Sequence, residues 1–134
     1  MKTRTMVSLF FVGIAAIASG VTVGSVSTQT VWRRGDDGYS SYRIPAIVSA
    51  TNGALLAFCE GRKSSLSDAG DIDVVMRRSN DGGATWGVQQ VIWSDGANTC
   101  GNPVPVVDQT TGRIVLVLSW NMGTDGESAI INKT

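Results

Sequence analysis

The sequence predicts an all-β chain built from antiparallel four-stranded sheets. Short apolar runs recur at even spacing from Val31 onward, turn-forming residues separate them, and no stretch between them carries a helical period. Tyr42 to Val48 (YRIPAIV) reads as the first strand, with Thr51-Asn52-Gly53 as its turn. Asn-Gly between two such runs is a strong hairpin signal. Ala54 to Glu60 (ALLAFCE) is the return strand. A third lies within Asp71 to Arg78, followed by the turn Asn80-Asp81-Gly82-Gly83, and Val88 to Trp93 gives a fourth. Val104 to Val107 and Arg113 to Trp120 then pair around Gln109-Thr110-Thr111-Gly112.

Even spacing and hairpin turns argue for a meander of the propeller or sandwich kind, of which about one and a half four-stranded sheets are visible. A propeller closes with typically four blades or more, so the expectation is a partial structure whose remainder lies outside this chain. A smaller complete β domain is the alternative. Ala129 to Thr134 reads as a further strand beginning.

Composition narrows the chemistry. Eleven basic and eleven acidic residues cancel over 134 positions, which removes the electrostatic reason to bind nucleic acid or an anionic membrane. The absence of histidine removes the commonest metal ligand and the neutral-pH proton shuttle. Proton transfer, if there is any, falls to a carboxylic acid or a tyrosine.

Lys2 and Arg4 precede the apolar run Met6 to Ala18, which ends in the small residues Ala16 and Ala18. This is the pattern of a secretory signal peptide over residues 1–18; an uncleaved membrane anchor is the alternative, although the run falls short of the roughly 18 to 20 residues of a membrane span. Residues 19–30 follow as a polar linker, and 31–134 form the folded domain. Secretion would permit a bond between Cys59 and Cys100, but two separate buried thiols fit the sequence equally. Asn132-Lys133-Thr134 is a glycosylation sequon.

Four segments carry candidate chemistry. Arg43 sits in an apolar strand, where a guanidinium is costly unless an anion meets it, and its fork suits a carboxylate. An exposed surface arginine is the plainer reading. Cys59-Glu60-Gly61-Arg62 leads to a loop, Ser67-Asp68-Ala69-Gly70, with small neighbours around Asp68. Asp71 and Asp73 flank the next strand, where a carboxylate commonly caps a turn or meets solvent. A calcium site from Asp68, Asp71 and Asp73 is conceivable, although the EF-hand pattern is absent. Asn102, in Thr99 to Pro105 (TCGNPVP), is either a ligand contact or the start of an Asn-Pro turn. Ser79 to Trp86 (SNDGGATW) fits a tight hairpin: Asp81 accepts backbone N–H groups, Gly83 allows positive φ, and Trp86 packs beneath.

These segments, in this order across roughly Tyr42 to Trp120, resemble the secreted exo-α-sialidases (neuraminidases) of bacterial or fungal type. Ser79, Asp81, Gly83 and Trp86 match the Asp box of that superfamily, a structural pin. The resemblance implies the first one to two blades of a six-bladed β-propeller, incomplete in this chain. It implies hydrolysis of terminal α-linked sialic acid from glycoproteins, glycolipids or oligosaccharides, with no cofactor and no metal. It makes Asp68 the catalytic acid/base and Arg43 one of three arginines that grip the sugar carboxylate. Arg62 and Asn102 become substrate contacts. The family's tyrosine nucleophile and glutamate base have no matching context in this chain, nor do the other two arginines. A non-catalytic sialoside-binding Asp-box module and a trans-sialidase share the same residues.

Overall fold

The computed structural model describes residues 27–132. The expected signal peptide lies outside that range, as do most of the expected linker and the last two residues of the sequon. Six strands are observed: β1 (Ser41–Ser49), β2 (Leu55–Arg62), β3 (Ile72–Ser79), β4 (Gln90–Trp93), β5 (Thr99–Val107) and β6 (Ile114–Asn121). β1 to β4 form an antiparallel meander, and β5 and β6 form a second antiparallel hairpin. A single parallel pairing, Ile72 with Thr99, joins the two at the start of β3 and β5. β5 also lies against β1 and β2. This is the arrangement of one propeller blade followed by the leading hairpin of the next.

β2 is the interior strand, buried along nearly its whole length. Because successive side chains alternate in direction, its two faces serve different ends. Cys59 packs on one side with Tyr39 and Val75, and Trp32 and Tyr42 close that cluster. Glu60 and Arg62 point to the other side, toward β5. Gly61 makes room for the Tyr39 ring: a Cβ there would lie 2.7 Å from Tyr39 Cδ1. The Tyr39 hydroxyl donates to Asp73 Oδ2 at 2.6 Å, and Lys63 stands 4.7 Å over the same ring.

The turns follow from their residues. Asn52 Oδ1 accepts the Ala54 N–H at 3.1 Å, and Gly53 takes φ +82°. In the Asp-box turn Ser79 Oγ accepts the Gly83 N–H at 2.8 Å, and Asp81 Oδ1 accepts the Thr85 N–H at 2.9 Å. Thr85 and Ser79 hydroxyls also donate to the Asp81 carboxylate. Those bonds hold its pKa down at about 2, the Thr85 hydroxyl contributing most. Trp86 lies half-buried against Gly83.

Three expectations are corrected. Residues Glu127–Asn132 form a short helix, α1, rather than a strand. The Ala129 and Ile130 amides bond back to the Gly126 carbonyl, and the two adjacent isoleucines, lacking period-2 alternation, fit a helix turn as well as a strand. β5 begins at Thr99, earlier than Val104, because the Asn102-Pro103 step is absorbed as a bulge within the strand. Asp73 is not a surface cap; it is buried between Tyr39 and Lys63. Both cysteines are free buried thiols.

Gly61→Ala should cost about 1–3 kcal/mol, read as a lower denaturant midpoint, because the Tyr39 ring must leave its seat. Asp81→Ala should lower the melting temperature without altering ligand affinity. The Asp81 contribution is fully present above the carboxylate's ordinary value of 3.8 and fades as pH falls toward about 2. The melting difference between wild type and variant should therefore shrink only in that acidic window.

Candidate active site

β2 delivers two charged side chains, Glu60 and Arg62, to one buried face, where their side chains are 4 % and 3 % exposed. Arg62 Nε and Nη2 both donate to Glu60 Oε2, at 3.0 and 2.6 Å. Arg62 Nη1 donates to the carbonyls of Leu66 and Ser67, at 2.6 and 2.8 Å, and Nη2 donates to Asp68 Oδ1 at 2.6 Å. A guanidinium has five N–H groups, and here each one has a protein partner. Burial opposes the Arg62 charge, but the bonds to Glu60 and Asp68 outweigh it and hold its pKa above the ordinary value.

The loop after β2 is thus tied by Arg62 at three consecutive residues, and Asp68 stands at its tip with 68 % of its side chain exposed. Arg43, on β1, reaches the same carboxylate oxygen from the other side, with Nη1 at 2.7 Å. Held between two guanidiniums, Asp68 is pushed below the usual carboxylate range, mainly by the Arg62 hydrogen bond.

β5 supplies the third wall. Glu60 Oε1 accepts the Asn102 backbone N–H at 3.0 Å, and Asn102 Nδ2 donates to Ser119 Oγ at 2.8 Å. Gly101 permits the approach, since a Cβ there would sit 2.5 Å from Glu60 Oε1. Around these groups lies an open cavity of about 360 Å³, lined by Ile44, Glu60, Arg62, Asp68 and Asn102, with Asp125 and Glu127 on the far wall. That volume falls in the range of small-molecule sites.

The structure therefore brings Arg43, Arg62, Asp68 and Asn102 together. The Asp box does not join them: it lies at the opposite end of β3, about 23 Å away by strand rise. Sequence reasoning set Glu60 aside, although its place two residues before Arg62 in a strand puts both on one face. Asp125 and Glu127 carried no signal, because only the turn after β6 and the start of α1 bring them to the cavity. Asp68, Asp71 and Asp73 do not converge, and no group of three or more metal-binding side chains occurs among the described residues.

Neither tyrosine lines this cavity. The Tyr39 hydroxyl is spent on Asp73, and burial together with that partner raises its pKa. Tyr42 donates to the Asp36 carbonyl and is pushed up to about 12, chiefly by burial. Burial likewise pushes the Cys59 thiol to about 12, so it is no nucleophile at neutral pH. No helix among the described residues is long and apolar enough to cross a membrane.

Residues 53–133 match the family model of the BNR repeat-like domain. An exo-alpha-sialidase of Aspergillus fumigatus is 44 % identical over 93 residues, covering 65 % of this chain and 23 % of that protein. A sialidase of Micromonospora viridifaciens is 41 % identical over 85 residues, covering 60 % of this chain and 13 % of that protein. Among solved structures, Hadza microbial sialidase Hz136 aligns with a TM-score of 0.64 and 34 % identity, over 69 % of this chain and 20 % of that one. The chain spans less than a quarter of the length of these relatives. It belongs to the BNR repeat-like domain family, as one blade and the leading hairpin of a second in a sialidase-type β-propeller.

Proposed function

We propose that the protein carrying this chain is a secreted, retaining exo-α-sialidase, and that the chain supplies its acid/base and part of its carboxylate clamp. The observation that carries the reading is the contact of Asp68 with both Arg43 and Arg62, where Asp68 and Arg62 line one cavity and Arg43 reaches it through Asp68. Sialylated glycoproteins, glycolipids or oligosaccharides are the substrates, and no cofactor takes part.

The geometry suggests how Asp68 acquires its proton. In the free site two guanidiniums favour its ionised form. Arg43 is half-exposed, and among the described residues its guanidinium bonds only Asp68. An incoming sugar carboxylate competes for it. That exchange withdraws a positive charge from Asp68 and sets a negative one nearby, and both changes raise its proton affinity. The protonated acid then stands beside the glycosidic oxygen and protonates it as the aglycone leaves. Sialidases use a tyrosine nucleophile rather than a second carboxylate; that tyrosine, its glutamate base and the remaining arginines would come from outside these residues.

Arg62 takes a different part from Arg43. With its five donors already engaged it acts through Asp68 and the loop, as a positioning residue, and Glu60 fixes it in turn. Asn102 contributes a polar wall toward the sugar hydroxyls or N-acyl side. One observation favours a second reading: the ion-paired, ionised Asp68 of the free site would equally suit a binding module that performs no proton transfer.

Asp68→Asn in the full-length protein should lower kcat by about 10²- to 10⁴-fold while a non-hydrolysable sialoside analogue still binds. Wild-type protein that binds the analogue but releases no aglycone would establish the binding module instead. Arg62→Lys should reduce kcat about 10- to 100-fold with KM changed less than about threefold, since the lysine keeps the charge but cannot tie the loop. A rise confined to KM would make Arg62 a direct substrate contact.

A further inference from the structure

β1 and β5 depart from regular strand geometry at the same place. β1 pairs with β2 through Ser41↔Arg62, Tyr42↔Gly61 and Arg43↔Glu60, then resumes at Ala46↔Phe58. β5 pairs with β6 through Thr99↔Asn121, Cys100↔Trp120 and Gly101↔Ser119, then resumes at Val104↔Val117. In each hairpin two residues oppose one after three paired positions. Ile44 and Pro45 stand opposite Cys59, and Asn102 and Pro103 stand opposite Leu118. Matching the two registers makes Ile44 the counterpart of Asn102, and Pro45 that of Pro103.

The backbone agrees. Ile44 has φ +55° and Asn102 has φ +52°; among the described residues the only other non-glycine at positive φ is Asp37. Asparagine tolerates this region, but a β-branched residue does so at a real cost. Proline restricts the residue before it to extended conformations, so nothing local favours Ile44 as it stands. The proline itself fits a bulge, where no ladder N–H is needed.

The strain has a consequence in space. In a regular strand Arg43 and Ile44 would point to opposite faces. Here Arg43 reaches Asp68 while Ile44 lines the cavity that Asp68 and Asn102 also border. We propose that Ile44 is a ligand-contacting, specificity-determining residue: an apolar side chain held in a strained bulge so that it walls the cavity beside Arg43. The proposal rests on the sialoside reading and adds that an apolar edge of the bound sugar packs against Ile44, where the second hairpin presents an amide.

The experiment compares Ile44→Ala and Ile44→Gly in the full-length protein. Both remove the side chain, but only glycine relieves the backbone. At an ordinary strand position glycine melts below alanine; here Ile44→Gly should melt above Ile44→Ala by about 2–5 °C. Both variants should raise KM for a sialoside about 5- to 50-fold with kcat changed less than about threefold. A glycine variant that melts at or below the alanine variant overturns the proposal, because no strain is then stored. So does the expected melting order with unchanged KM, because the strain then serves no ligand. Wild-type protein inactive on sialosides fails the underlying reading instead, and that result appears before any variant is compared.

Discussion

The buried pair of Glu60 and Arg62 is the interaction on which the rest of the site depends. Two charges withdrawn from water cost several kcal/mol each unless their hydrogen-bonding capacity is filled. Glu60 meets that condition with one oxygen shared by two Arg62 nitrogens and the other accepting from Asn102. Arg62 meets it through the loop carbonyls and Asp68. The desolvation cost is thus offset only when the blade, the loop and the next hairpin are all in place. The pair is less a source of stability than a lock on relative position, and it fixes Asp68 against Arg43.

That lock also explains two small residues. Gly101 is glycine because Glu60 occupies the space of a side chain there, and Gly61 is glycine because Tyr39 does. Neither has a positive φ, so the requirement is room rather than backbone freedom. On the two faces of β2, adjacent positions are thereby committed to different neighbours: the aromatic cluster beneath and the ionic site above.

Much of this was legible in the sequence where the code is local. Asn52-Gly53, the Ser79 to Trp86 turn and Gly112 each name their own conformation, and the hairpins fall where those residues place them. Arg43 stood out as a charge in an apolar strand, whereas Asp68 stood out only through the resemblance of its segment, because its small-residue loop looks like any surface turn. The rest depended on distant partners. Glu60 is informative only once β5 lies against it, and Asp73 only once Tyr39 crosses from the segment before β1. The Asn102-Pro103 step looks like a turn because a bulge and a turn share their local chemistry. The terminal isoleucines were ambiguous for a similar reason, since a six-residue run is too short for its period to separate helix from strand.

Three aspartates show why residue type alone does not assign a role. Asp81 sits in solvent at a turn, where hydroxyl and amide donors keep it ionised and the charge does nothing but hold the loop. Asp73 is sealed under Tyr39 and Lys63, committed to packing, with no path to a ligand. Asp68 alone combines exposure with partners that an anion can displace. A carboxylate can exchange a proton with a substrate only if its electrostatic surroundings change when the substrate arrives. Of the three, only Asp68 has a neighbour of that kind: the half-exposed Arg43, which an incoming anion can engage.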